Sequence, residues 1–358
     1  MVVFERLAGV RNYRQPRPKS TMVSFIQSSF SARFSKVSFR VLSIGLVQLH
    51  FAGISFAMGL MVAPSTEAQC GVVIPAPPPA PTASAKRIEG SKVAHGQKDI
   101  AWAWLGTPTS RYPHKALGSA THAATLHVLA APAPGPEQEL VYRLPFNRVF
   151  EDLTVRLVDI DADGRDEMVV IESDALRGSS VVVLGLRRVP PANAGDKAKN
   201  TMAITEIARS APTGGTFYWL NPVGVADFDG DGRLDIASVT TPHVGGILNL
   251  YHYRPPMLDS FAKVMDISNH RMGDPEQDLA VIVHLPGVRP TVIVPDMSLK
   301  ALHALRWEAQ DAKGTTGRWK ELADVMALPA RVQRMLPIPS GACVLLADNT
   351  WLRVTLSQ

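Results

Sequence analysis

The chain has 358 residues, with 28 prolines, 26 glycines, 19% charged residues and a formal net charge of +5. That length allows two average domains or one large all-β domain, and the many short Val/Ile/Leu runs between turn residues favour strands over long helices. Residues 1–69 hold eight of the 37 basic residues but only two of the 32 acidic ones, so the remainder is close to neutral and nucleic-acid binding loses its electrostatic basis.

The basic region precedes an apolar run, VLSIGLVQLHFAGISFAMGLMVA (41–63), whose strong polar interruptions are Gln48 and His50. A basic n-region, an apolar h-region and the small-residue tripeptide Thr66-Glu67-Ala68 predict a signal peptide cleaved after Ala68, so 1–69 is assigned to an N-terminal extension and signal peptide. The n-region is long, which leaves a start at Met22 open. An uncleaved anchor is the rival reading, because a run of this length can span a bilayer. Cys70 stands where a lipidated cysteine would, but Glu67-Ala68-Gln69 departs from a small, apolar lipobox. The second cysteine, Cys343, lies in the apolar run ACVLLAD. A small buried residue is the preferred reading there, and a Cys70–Cys343 disulfide is the alternative in an oxidising compartment.

Residues 70–87 read as a Pro-rich linker, with five prolines in seven positions from Pro75 to Pro81. The folded domain is expected from Ile88 to the end of the chain. Within it, DIDADGRDEMVVI (159–171) and DFDGDGRLDIASV (227–239) repeat 68 residues apart. A further step back reaches Asp99 in AHGQKDIAWAW. Forward, GVRPTVIVPD (287–296) and PSGACVLLAD (339–348) keep the turn-then-strand form without the acids, while GDPEQDLAVIV (273–283) offers another register for the fourth copy. This makes about five copies at spacings of 43 to 68 residues.

Four apolar segments accompany each intact turn: ELVYRLP, VRLVDI, EMVVIES and SVVVLGLR in one copy, and MAITEIARS, VGVADF, LDIASVTT and ILNLYHYR in the other. Four strands per repeat predict an all-β fold, a β-propeller of about five four-stranded antiparallel blades, with four to seven possible. One blade cannot bury both faces, so blades must stack around an axis. KALHALRWEAQDAKG (300–314) is the best helix candidate and reads equally as a strand followed by a loop.

Both intact turns match D-x-D-x-D-G-x-x-[DE]. Positions 1, 3, 5 and 9 are Asp159, Asp161, Asp163 and Glu167 in one, and Asp227, Asp229, Asp231 and Asp235 in the other. Four carboxylates so close resist ionisation unless a cation compensates them. Ca2+ fits, because it takes about 6–8 oxygen ligands in irregular geometry. Gly164 and Gly232 permit the sharp turn. Arg165 and Arg233, at position 7, are expected to offer backbone carbonyls while their side chains point outward. An EF-hand is excluded: position 12 is Val170 or Ser238 rather than Glu, and the flanks are β-branched strand sequences.

These two loops and their flanking strands resemble FG-GAP or VCBS-type repeats, the calcium-binding blades of integrin-α-like propellers. As a repeat pattern the resemblance covers roughly residues 88–358, but only the two loops match closely. It implies that the acids of both loops hold structural calcium. The other copies depart from the pattern: Ser91, Val93 and His95 replace the first three acids in the first copy, and His270 and Met272, or Val283 and Leu285, stand at positions 1 and 3 of the fourth.

No nucleophile elbow, P-loop or dinucleotide fingerprint is present, and His114, His122, His127, His243 and His252 lack ligand spacing along the chain. They read as scattered surface or half-buried side chains. Trp102 and Trp104 are expected to be buried between blades, and TPTSRYPHKALG (107–118) and TFYWLNP (216–222) are where a ligand is expected. The chain is therefore expected to be an exported, monomeric, non-enzymatic propeller in the periplasm, on the cell surface or secreted, with a protein or glycan ligand. Membrane contact is expected only through an uncleaved N-terminal segment. A propeller-scaffold lyase or glycosidase acting on polysaccharide is the alternative.

Overall fold

The computed structural model describes residues 60–70, 79–131, 138–190, 201–311 and 316–356. Most of the export segment, and the most proline-dense part of the linker, lie outside them. The described part is all-β, and its ladders are antiparallel except for one short parallel contact pairing Arg209 with Met257 and Ser210 with Leu258.

The strands run in four-membered meanders. After β1 (Leu60–Ser65), the first meander is β2 (Ala94–His95), β3 (Ile100–Thr109), β4 (His122–Ala130) and β5 (Gln138–Arg143). The short β6 (Arg148–Phe150) leads into the second: β7 (Arg156–Val158), β8 (Glu167–Asp174), β9 (Gly178–Val189) and β10 (Thr201–Ser210). β6 hydrogen bonds to both β4 and β8 and so joins two meanders. The third comprises β11 (Leu220–Ala226), β12 (Asp235–Thr240), β13 (Ile247–Arg254) and β14 (Met257–Met265). The fourth comprises β15 (Val281–Val283), β16 (Thr291–Pro295), β17 (Ala301–Ala309) and β18 (Gly317–Glu321), followed by β19 (Met326–Ala327), which pairs with β17. The last comprises β20 (Val332–Ile338), β21 (Gly341–Leu346) and β22 (Trp351–Leu356), and its fourth strand is β1, paired antiparallel with β22 from Leu60↔Leu356 to Ser65↔Trp351.

The period of two along a strand explains the packing between meanders. In β16, Val292 and Val294 enter the core shared with the third meander, while Ile293 between them enters the core shared with the fifth. β17 does the same, with Leu302 and Ala304 on one side and Leu305 and Trp307 on the other. β-branched runs such as EMVVIES and SVVVLGL are buried on both faces for this reason.

Several sequence expectations change. The folded part begins upstream of Ile88: residues 60–65, assigned to the export segment, form β1, and Cys70 is bonded to Cys343. The bonded form thus replaces the preferred reading of Cys343 as an isolated small residue. The strand grouping ran one strand too early, since ELVYRLP contains β5 and MAITEIARS lies in β10, each the outer strand of the preceding meander. Apolar runs carry no mark of where a meander begins, whereas hydrogen-bond register does. Both acidic turns connect the first two strands of their meanders, so the equivalent turn in the fourth precedes β16. This selects the register at 287–296 over that at 273–283. The helix candidate is strand β17. Trp102 and Trp104 are buried, as expected.

Candidate metal centres

The β7–β8 turn carries the first acid set. Gly164, at φ +87°, lets the chain double back, and its N–H donates to Asp159 Oδ2 at 3.1 Å. Ile160 N donates to Glu167 Oε2 at 3.2 Å, so the first and last acids are drawn toward the same loop interior. Oxygens of Asp159, Asp161 and Glu167 lie within 4.8 Å of one another. Asp163 is not in that group. Its carboxylate receives Arg165 Nη2 at 2.8 Å and Nε at 3.1 Å, so Arg165 turns back onto its own loop rather than outward. Lys98, from the β2–β3 turn, ion-pairs with Asp159 Oδ2, and Arg187 Nη2 reaches Glu167 Oε1 at 3.3 Å.

The β11–β12 turn repeats the geometry. Gly232, at φ +85°, donates to Asp227 Oδ2 at 3.0 Å, and Phe228 N donates to Asp235 Oδ2 at 3.2 Å. Asp227, Asp229 and Asp231 converge within 4.8 Å, and Asp229 and Asp235 form a second group with His252. Arg233 is exposed, and its backbone N–H donates to Asp231 Oδ1 at 2.8 Å. His252 is a member that a search for ligand spacing along the chain could not find. Its position follows from the ladder, where it pairs directly with Asp235.

The electrostatics are those of carboxylates short of positive charge. Burial, reinforced by Asp161, raises Glu167 to about 7. Burial and the neighbouring Asp229 raise Asp235 to about 8, and burial also raises Asp229. Asp159 moves the other way, because Lys98 hydrogen bonds to it. Among the described residues, Asp159 Oδ1 and Asp229 Oδ2 are buried without a hydrogen-bond partner. One orphaned oxygen in each loop, beside further carboxylates, is a donor set that suits a cation. The two loops also line one cleft of about 470 Å³, to which Asp161, Ala162, Gly232, Arg233 and Tyr253 all contribute.

A second polar region lies away from the acids. The two segments where a ligand was expected meet: Phe217 N donates to Tyr112 Oη at 3.0 Å, and the Phe217 ring stacks on His114 at 5.0 Å. His114 Nδ1 bonds to the buried Glu151 at 2.6 Å, and His243 Nε2 to His270 Nδ1 at 2.8 Å. Of the five histidines expected at the surface or half-buried, His127 and His243 are half-buried, whereas His114, His122 and His252 are buried and partnered, as is His270.

No protein-family model matches the chain, and a search of curated proteins finds no significant match.

Proposed function

We propose that the chain is an exported, non-enzymatic β-propeller of five blades, with Ca2+ held structurally by the two acidic loops, serving a binding, adhesion or scaffold role at the cell envelope. The five four-stranded meanders would be the blades. Their side-by-side packing through alternate side chains supports this, as does β1 completing the last meander from the opposite end of the chain. The observation that carries the calcium reading is the recurrence of one acidic turn at the same place in two consecutive meanders, each with a buried carboxylate oxygen lacking a partner. Asp159, Asp161 and Glu167 in one loop, and Asp227, Asp229, Asp231 and Asp235 in the other, would hold the ion. Its charge would let these carboxylates ionise together, and each would close its turn.

The resemblance to FG-GAP and VCBS repeats supports the same reading. The cross-linked Cys70–Cys343 pair suits an oxidising compartment. A protein or glycan ligand fits the surface around Phe217 and Tyr218, which are 43% and 54% exposed where two long loops meet. The test is calorimetric titration of the chelator-treated chain with Ca2+, together with thermal unfolding. Binding and a rise of several degrees in the midpoint are expected, and an unchanged melting curve with no bound calcium would overturn the reading. A glycan array probed with and without Ca2+ then tests the ligand class.

A further inference from the structure

The two acidic loops are not chemical copies. In the second meander, Glu167 stands opposite Gly185 on the third strand, so the first loop offers oxygen alone. In the third meander the corresponding pair is Asp235↔His252, which puts an imidazole against the acids. His252 Nδ1 lies 3.1 Å from Asp235 Oδ1 and 3.7 Å from Asp229 Oδ2. All three residues are buried, at 4%, 1% and 2% exposure. Among the described residues, Asp229 Oδ2 accepts no hydrogen bond. The Phe261 ring stacks on the imidazole at 3.9 Å and 12°, which fixes the direction of its nitrogen.

We propose that the second loop is a mixed nitrogen–oxygen centre for a divalent transition ion of the zinc or manganese kind, formed by His252, Asp229 and Asp235, while the first loop remains an all-oxygen site for a hard cation. This rests on the reading of both loops as cation sites and revises it at the second loop, where the transition ion rather than Ca2+ would be the preferred occupant. Separations of 3.1 and 3.7 Å are those of ligand atoms sharing one ion at about 2.0–2.2 Å. Imidazole is a ligand for zinc and its neighbours, whereas calcium takes oxygen. To ligate through Nδ1 the ring must carry its proton on Nε2. Among the described residues that nitrogen has no hydrogen-bond partner, and the Nδ1 contact with Asp235 at 3.1 Å is the one that a shared ion would replace.

The experiment uses the full chain, stripped with chelator and first saturated with Ca2+. Zn2+ added by calorimetric titration is expected to bind at one site despite a hundredfold excess of Ca2+, and His252→Gln to weaken that binding by at least about tenfold. Mn2+ loaded the same way is expected to show directly coordinated nitrogen in pulsed electron paramagnetic resonance. This measurement on the unmodified chain needs no variant to fold. Equal zinc affinity in His252→Gln, or a manganese spectrum without nitrogen, overturns the assignment. If Ca2+ still binds and is lost in Asp159→Asn/Asp161→Asn, the calcium reading survives that failure. If neither loop takes any ion, both fall.

Discussion

Gln277 Nε2 donates a hydrogen bond to Asp152 Oδ1 at 3.1 Å, joining residues 125 positions apart. Gln277 Oε1 accepts from Leu153 N at 3.2 Å, its backbone carbonyl accepts from Asn221 Nδ2 at 2.8 Å, and Asn269 Nδ2 in turn reaches the Asn221 carbonyl at 3.1 Å. The β6–β7 connection, strand β11 and the β14–β15 connection therefore meet in one buried polar knot. Such networks are costly to leave half-made. Gln277→Leu should lower stability by about 2–3 kcal/mol, through the partners it orphans. Gln277→Glu should cost more, because it buries a second carboxylate against Asp152. Urea unfolding midpoints at constant slope check both.

The tight turns make a separate prediction. A Cβ added at Gly164 or Gly232 would meet nothing within 4 Å, so any cost of substitution arises from the left-handed backbone alone. Gly232→Val should destabilise by about 1–2 kcal/mol, and Gly232→Asn by clearly less, since Asn tolerates that conformation. Thermal unfolding in chelator isolates this backbone effect from any effect on a bound ion.

Acid should loosen the fold through one histidine pair. Burial lowers His243 and His270 to about 4, with His114 adding to the shift of the first and His243 to that of the second. Between the ordinary histidine value near 6.5 and about 4, the unfolded chain binds protons that the folded chain refuses. Stability from this pair is therefore complete above about pH 7 and is lost as pH falls through that window, by up to about 1.4 kcal/mol per pH unit for each histidine. Glu167 and Asp235, raised by burial, act with the opposite sign in the absence of a cation, losing stability as pH rises toward 7–8. The difference between wild type and His243→Gln/His270→Gln, measured by urea unfolding from pH 7.5 to 4, isolates the histidine contribution.

Reduction is the simplest perturbation. Cys70 and Cys343 are at most 1% exposed and sit with Ile338, Leu336 and Trp351. Breaking the bond with dithiothreitol, or by Cys343→Ser, should lower stability by about 2–5 kcal/mol. A midpoint unchanged by reduction would show that the pair is not bonded in solution.

Local chemistry made part of this molecule readable from its sequence. The all-β class, the approximate strand positions and both acidic turns follow from β-branched runs, glycines and carboxylates at fixed offsets, all of them short-range signals. What could not be read depends on register between distant segments. His252 belongs beside Asp235 only because β13 pairs with β12 at that offset, and no spacing along the chain encodes it. Likewise β1 ends an apolar run that also reads as an export segment, and its pairing with Trp351–Leu356 is not encoded in that composition. Asp163 illustrates a different limit. It satisfies the motif by position, and in the fold its carboxylate is bound by the neighbouring Arg165, a pairing that the motif does not encode.

The Cys70–Cys343 bond, with 273 positions between its ends, makes most of the chain a covalent ring. A protease that cuts once anywhere inside the ring linearises it without releasing a fragment. Nicked and intact molecules would differ in mass by a single water until a thiol separates the pieces. A single cut inside the ring would therefore loosen the fold without the loss of a meander.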